Sequence, residues 1–383
     1  MCWKKFCTNI QKICCIFEFV KCKITEDDIF IEYERISGKK YDYVCKKDEF
    51  YKSYKNWNNI GNNLSIMNKN FYETPIYINN KYFSTQVEYP REEKIEVKNN
   101  NGCFKYEISK PSKQFLINLI IQEIKPSLKV LSIRRWDEAK ETTKSDVTIF
   151  DFLEVMYCDV ITLKVSLEDS KKILNIDDFK NMANSFIFYS NLKLNSGIVL
   201  RNLKNEDVKL YIRNKTDDEN VKDFIVPDKI YEQCLVERYN KARNSIDPVV
   251  QYLYYYQILE YFYIKKKSKV KGKNKLVVVL NNFIDVNILQ TELKRIDNDL
   301  FEYYKNNKVR FSSGSNIDFE NKNTQDIYKN LADRIYSTRN ALAHYKKKEK
   351  KYNPFHDEKD LLNEIPLIKL LAENVILANS KSL

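Results

Sequence analysis

The chain has 383 residues, of which 43% are hydrophobic and 31% are charged, so it carries enough apolar material for two folded domains. Lysine and arginine together number 65 and aspartate and glutamate 53, which gives a formal net charge of +12. This balance favours an acidic partner such as nucleic acid or an anionic surface. The alternative is that lysine-rich usage is only a compositional bias.

Glycine and histidine are scarce, which argues against several classes of enzyme. The six glycines are widely spread, so neither a Walker phosphate-binding loop nor a dinucleotide fingerprint can be written on this sequence. The two histidines, His344 and His356, are too few for a histidine-built zinc site. We therefore expect neither a metal nor a cofactor.

The nine cysteines are concentrated near the N-terminus, and their spacing fits neither a disulfide framework nor a zinc motif. We expect reduced or buried thiols, with a metal site as the weaker alternative, at Cys2, Cys7, Cys14, Cys15 and Cys22. The first residues carry lysines and an apolar run that Glu18 interrupts, which favours a strand over a signal peptide. No window reaches the roughly 20 apolar residues of a membrane span, so we expect no membrane segment and a cytoplasmic protein.

The first 226 residues mix two kinds of periodicity, which predicts an α+β domain over residues 1–226. Alternating apolar residues favour strands at 14–24, 29–35, 74–87 (as a hairpin) and 104–109. Helical spacing predicts helices at 111–124 and 176–189. Nothing in this half indicates what it binds.

From residue 227 onward apolar residues recur at every third or fourth position, which predicts an all-α helical bundle over residues 227–383. A helix from Asp247-Pro248 to about Lys267 is apolar almost all round and should be central. Glu260 is the one acid inside it, and it either finds a partner or lies at a solvent edge. The other helices are expected at 228–244, 274–283, 288–306, 324–347 and 358–379. The loop 309–323 is predicted to be a lid or a disordered link.

The run Arg339-Asn340-Ala341-Leu342-Ala343-His344 lies late on the predicted helix 324–347. At about 100° per residue, Asp333, Ser337, Asn340 and His344 share a polar face, and Arg339 lies about 140° from His344. Within one subunit, Arg339 and His344 therefore do not face the same site easily. Two copies around a two-fold axis would bring two arginines and two histidines into one cleft. The ordinary alternative is a helix end whose cations complement the helix dipole.

This run and its helical frame resemble the Arg-x4-6-His motif of the HEPN superfamily (higher eukaryotes and prokaryotes nucleotide-binding), including a polar residue directly after the arginine. The resemblance covers about two fifths of the chain, from residue 227 to the end. It implies a metal-independent endoribonuclease, active as a homodimer, of the kind found in abortive-infection, toxin–antitoxin and other phage-defence systems. The layout is also similar to that of ApeA-type defence proteins, which would make residues 1–226 a sensing or regulatory domain.

The resemblance also implies roles for individual residues. Arg339 would stabilise charge on the phosphorane-like transition state, and His344 would relay a proton between the RNA 2′-hydroxyl and the leaving 5′-oxygen. Asn340 would orient the site, and Glu260 is a weaker candidate for holding Arg339 in place. The expected substrate is single-stranded RNA or tRNA, cut to leave 2′,3′-cyclic phosphate and 5′-hydroxyl ends.

Further residues are expected around this site. Asp333 and Ser337 would line the dimer cleft on the polar face of the helix. Two lysine runs would attract RNA phosphates, although a solvated loop is the ordinary reading of such runs. The lysines expected to bind RNA are Lys265, Lys266, Lys267, Lys346, Lys347 and Lys348.

Two other functions stay open on the sequence. One is a non-catalytic HEPN module that binds nucleotides or a protein, such as an antitoxin or a partner subunit. The other is an RNA-binding or structural protein whose basic loops do all the work. The intact arginine and histidine favour the nuclease, because a pure binding module has no need of both. A phage-derived factor or an antitoxin is the expected regulator.

Overall fold

The computed structural model describes residues 2–15, 20–34, 40–54, 57–60, 64–79, 94–99, 102–126, 148–157, 159–168, 174–194, 197–204, 226–227, 229–265, 272–343 and 351–382. The described residues divide into two compact units, of which the first ends at Pro227 and the second begins at Lys229. The coarse prediction of fold is confirmed. An N-terminal α/β region with antiparallel sheets is followed by a C-terminal helical region.

The first unit combines helices with two antiparallel sheets. Its described helices are α1 (Cys2–Cys14), α2 (Lys47–Tyr54), α3 (Lys113–Ile121), α4 (Ile149–Met156) and α5 (Ile176–Leu194). Its described strands are β1 (Val20–Ile24), β2 (Asp28–Glu34), β3 (Lys40–Lys46), β4 (Asn58–Ile60), β5 (Ser65–Asn68), β6 (Phe71–Asn79), β7 (Ile95–Lys98), β8 (Phe104–Ser109), β9 (Ile161–Leu167) and β10 (Gly197–Leu200). One sheet has the order β1-β2-β3, and the other has the order β4-β5-β6-β9-β8-β7, with β10 also pairing with β6.

Helix α1 corrects the prediction of a strand at the N-terminus. Its buried residues include Trp3, Phe6, Ile10 and Ile13, which are spaced three or four apart and therefore share one face of a helix. The first described strand, β1, begins at Val20. The prediction of a strand followed from an apolar run interrupted by Glu18, whereas the three- and four-residue spacing of the apolar side chains suits the helix.

Three other predictions for the first unit are confirmed. The strand at 104–109 is confirmed by β8, and the helices at 111–124 and 176–189 are confirmed by α3 and α5. The first half of the predicted hairpin is β6, whereas its second half falls outside the described residues.

The second unit is built from helices closed by one short strand pair. The described helices are α6 (Gln233–Asn244), α7 (Pro248–Lys265), α8 (Lys273–Phe283), α9 (Val286–Ile296), α10 (Asn298–Asn306), α11 (Thr324–Ala343) and α12 (Pro354–Ala378). The strands β11 (Lys229–Ile230) and β12 (Lys381–Ser382) pair antiparallel. The single helix predicted over 288–306 is two helices, because Asp297 has an extended backbone and its side chain caps α10 by accepting from the Leu300 amide.

Helix α7 is central, as predicted from its all-round apolar sequence. It packs against α6, α8, α11 and α12. Its buried side chains include Tyr252, Tyr255, Tyr256 and Leu259. Asp247 caps it by accepting a hydrogen bond from the Val249 amide at 2.8 Å. Helix α7 is therefore the central helix on which the other helices of this unit pack.

No single helix in the described ranges is long and apolar enough to cross a membrane. Helices α8 and α9 meet the length and composition criterion only as a pair, and that pair is bent by 89°.

Candidate functional site

Helix α11 carries the predicted motif and is fixed firmly along its buried face. Its buried residues include Ile327, Leu331, Ile335 and Thr338, which recur at helical spacing along one face. The Tyr252 hydroxyl on α7 donates to the carbonyl of Ile335 at 3.2 Å. The part of the helix one turn before Arg339 is therefore held against α7 by packing and by a hydrogen bond.

Arg339 lies at the edge of this face, with 22% of its side chain exposed. Its Nη2 is 3.7 Å from Oε1 of Glu260 on α7, and its Nη1 donates to Oδ1 of Asn340 at 3.1 Å. Its guanidinium carbon lies 5.3 Å from the centre of the Tyr256 ring. The structure thus brings Arg339, Asn340 and Glu260 together, with an aromatic face beneath the guanidinium.

This arrangement suits an anionic ligand. A guanidinium stays charged at any physiological pH and presents a planar fork of donors that matches phosphate oxygens. At 3.7 Å, the contact between Arg339 and Glu260 is an ion pair rather than a short hydrogen bond. Glu260 is also 39% exposed, so the pair is solvated and a phosphate can replace it at little cost.

Several predicted site residues fall outside the described residues. His344 directly follows Ala343, the last residue of α11, and is one of them. The side chain of Lys265 and the residues Lys266, Lys267, Lys346, Lys347 and Lys348 are not described either, so their expected contacts with RNA stay predictions. Within the described ranges, no three histidine, cysteine, aspartate or glutamate side chains are grouped to hold a metal ion.

Asp333 is occupied by contacts within its own unit. Its Oδ1 accepts from Lys273 Nζ at 2.7 Å, and its Oδ2 accepts from the backbone amide and hydroxyl of Ser315 at 3.1 and 2.6 Å. Burial acts to raise the pKa of Asp333, but the Lys273 and Ser315 hydrogen bonds outweigh it and lower the pKa. Asp333 therefore anchors a loop, and a place in a dimer cleft would compete with these bonds. Ser337 is half-buried on the same helix.

Sequence reasoning missed Arg334, whose side chain is fully buried. Its Nε and Nη2 donate to the two carboxylate oxygens of Glu364 at 2.8 and 2.7 Å. Its Nη1 donates to the carbonyls of Asn307 and Ser315 at 2.7 and 3.1 Å. One available signal was Glu364, a lone acid in an apolar stretch of α12, which needs a buried cation as partner.

The loop 309–323 is neither a lid nor a disordered link, which corrects the prediction. Its buried residues are Val309, Phe311, Gly314, Ile317 and Phe319. Gly314 lies so close to α11 that an added Cβ would stand 2.8 Å from Cα of Arg334. The loop therefore packs on α11 about one turn before Arg339. Its buried apolar side chains hold it there.

The second unit is thus a helical unit with an arginine-centred polar cluster on α7 and α11. A family model described as methylamine utilization protein MauJ matches residues 235–377, which lie within this unit and cover less than half of the chain. The matched range includes Glu260, Arg339 and Asn340. That description names no reaction and no site residue. No curated protein and no solved structure matches the chain.

Proposed function

We propose that the chain is a HEPN-type endoribonuclease of a phage-defence or toxin system, with its catalytic unit in residues 227–383. The observation that carries this proposal is the position of Arg339, which Glu260 and Tyr256 hold partly exposed on α11, five residues before His344. The RNA 2′-hydroxyl attacks the adjacent phosphorus, and the 5′-oxygen leaves. The nucleophile belongs to the substrate, so the protein has to supply only charge stabilisation and proton transfer.

Each residue has a distinct part in this reaction. Arg339 offers its guanidinium fork to the negative charge that develops on the phosphoryl oxygens. His344 relays the proton from the 2′-hydroxyl to the leaving 5′-oxygen, since its ordinary pKa lies near neutrality. Asn340 orients the guanidinium through its side-chain oxygen, and its amide NH₂ can donate to a substrate oxygen. Glu260 is a positioning residue that acts through Arg339.

The proposed site is composite and needs a homodimer. His344 comes five positions after Arg339, so on one continuous helix the two side chains would point about 140° apart. Two copies of α11 around a two-fold axis place both residue types around one phosphate. In this proposal the first unit senses a trigger or restrains the nuclease, and the protein acts in the cytoplasm.

Cleavage in the presence of EDTA tests the proposal. The purified chain is incubated with total tRNA and with single-stranded RNA, and the product ends are analysed. We expect EDTA-resistant cleavage that leaves 2′,3′-cyclic phosphates and falls roughly 100- to 1,000-fold in Arg339→Ala, as when one charge-stabilising group is removed. The double variant Arg339→Ala/His344→Ala should be inactive.

The matched control is Arg295→Ala, which removes an exposed arginine paired with Glu292 on α9. This variant also removes one positive charge, but on α9 rather than on α7 or α11, and it should leave cleavage unchanged. Cleavage that persists in the double variant would overturn the proposal. RNA binding without any cleavage by the unaltered chain would favour the non-catalytic alternative.

A further inference from the structure

Four free cysteines of the first unit face one apolar core. Cys7 and Cys14 are buried on α1, and Cys45 is buried on β3. Cys22 alternates with exposed neighbours on β1, so its side chain lies on the same face of the strand as the buried Val20. Helix α1 packs on β1, and Cys22 is packed against this core while staying partly exposed.

Two of these thiols are in direct contact. Cys14 is the last residue of α1, and its side chain is hydrogen-bonded to that of Cys22 on β1. This bond and burial raise the pKa of Cys14, whereas the same bond lowers the pKa of Cys22 against the effect of burial. Cys22 is therefore the member of the pair that more readily becomes a thiolate, and Cys14 is the thiol that donates to it.

The exposure of each thiol suggests that Cys22 is oxidised first and that a buried cysteine then reacts with it. Cys22 is partly exposed, so a small oxidant can reach it, whereas the Cys14 side chain is fully buried. Cys7 is also near Cys22, but burial, followed by the charge of Cys22, raises the pKa of Cys7 to about 11. The partner of Cys22 is Cys14 rather than Cys7, because the hydrogen bond of the Cys22 thiol is to Cys14.

We propose that Cys14 and Cys22 form an oxidation site at which hydrogen peroxide converts the two hydrogen-bonded thiols into a disulfide. The Cys22 thiolate attacks one peroxide oxygen, the O–O bond breaks, and the released hydroxide takes up a proton to become water. Cys22 is now a sulfenic acid. The Cys14 sulfur attacks it, the S–S bond forms, and the S–O bond breaks as the hydroxyl leaves with the Cys14 proton as water. Two thiols and one peroxide become one disulfide and two waters.

The bond would join the end of α1 to β1 and close the short segment between them. Cross-linking a segment whose ends already touch restricts the unfolded chain more than the folded one. Oxidation should therefore shift the unfolding of the first unit to higher denaturant. This inference is independent of the proposed nuclease activity, because it concerns only residues of the first unit.

Peptide mapping of the full chain tests the site. The reduced protein is treated with increasing hydrogen peroxide, the remaining thiols are alkylated, and the unreduced digest is analysed by mass spectrometry. We expect a cross-linked peptide pair joining Cys14 to Cys22, which disappears on reduction. Cys22 should react ~10-fold faster than Cys103, a cysteine of similar partial exposure outside this core. This comparison needs no variant and so does not depend on one that folds.

Variants then separate the partners. Cys14→Ala should abolish the cross-link and leave Cys22 trapped as a sulfenic acid, detected with a dimedone probe. Cys22→Ala should abolish both signals, whereas Cys15→Ala, which removes the exposed neighbour of Cys14, should change neither. A cross-link from Cys22 to Cys7 or Cys15 in the unaltered chain, or a Cys22 that reacts no faster than Cys103, would overturn the proposal.

Discussion

Arg334 and Glu364 form a fully buried ion pair in which two guanidinium nitrogens face the two carboxylate oxygens at 2.8 and 2.7 Å. The pair joins α11 to α12 five residues before Arg339. The same guanidinium also holds the loop through the carbonyls of Asn307 and Ser315. The position of Arg339 therefore depends on a charge pair that is not itself part of the proposed chemistry.

Breaking this pair should be costly. Arg334→Met leaves the Glu364 carboxylate buried without its cation, and we expect a loss of ~3–5 kcal/mol in the free energy of unfolding by urea. Arg334→Met/Glu364→Leu should recover most of this loss, because no uncompensated charge remains. Arg295→Met is the control, since Arg295 is 72% exposed in its pair with Glu292 and the variant should lose about 1 kcal/mol or less. An equally small loss in Arg334→Met would contradict this interpretation.

Gly314 should tolerate no side chain. A Cβ there would lie 2.8 and 2.9 Å from Cα and O of Arg334, which are backbone atoms and cannot move aside without shifting α11. We expect Gly314→Ala to lower the free energy of unfolding by ~1–3 kcal/mol or more. The neighbouring Ser313→Ala, at an exposed side chain, serves as the control. Equal stability of the two variants would show that Gly314 is not in close contact with the backbone of α11.

The contact of Asp333 with Lys273 and Ser315 should make stability depend on pH. The folded-state pKa of Asp333 is lowered, so its contribution is fully present above the ordinary carboxyl pKa of about 3.9 and is lost as pH falls through the folded-state value. Asp333→Asn should therefore cost ~1–2 kcal/mol at neutral pH and progressively less below about pH 4. The measurement is urea unfolding at a series of pH values, with Asp299→Asn at an exposed position as control. A pH-independent difference between Asp333→Asn and the unaltered chain would exclude the charge as its cause.

The helices of the second unit could be predicted because their signals are local. The all-round apolar sequence of α7, its Asp247 cap and the buried stripe of α11 follow from residues a few positions apart. The partners of Asp333 and Arg334 could not be predicted in the same way. Both depend on the path of the loop 309–323 and on α12, which come together only through tertiary packing.

The candidate site was predicted in part for the same reason. The proximity of Arg339 and Asn340 follows from the sequence, and Glu260 was suspected because an acid in an apolar helix needs a partner. The distance between Glu260 and Arg339 depends on how α7 packs on α11. The error at α1 has another origin, since a short apolar run can suit a strand or a helix until its spacing is weighed.

Glu260 should have only a small effect on the cleavage rate, because it acts by positioning Arg339. A partly exposed ion pair contributes up to about 1 kcal/mol, so Glu260→Gln should lower the initial cleavage rate by at most about fivefold. Glu292→Gln, which breaks the exposed pair with Arg295, is the matched control and should leave the rate unchanged. A loss as large as that of Arg339→Ala would mean that Glu260 contacts the substrate itself.

The composite site is tested most directly by mixing two inactive variants. Arg339→Ala keeps His344, and His344→Ala keeps Arg339, so a mixed dimer has one of each residue in its shared cleft. We predict that each variant alone cleaves at least about 100-fold more slowly than the unaltered chain, and that the two, unfolded and refolded together, regain EDTA-resistant cleavage of RNA. If both variants fold and exchange subunits but their mixture stays inactive, Arg339 and His344 do not act together across a dimer, and the proposed site is wrong.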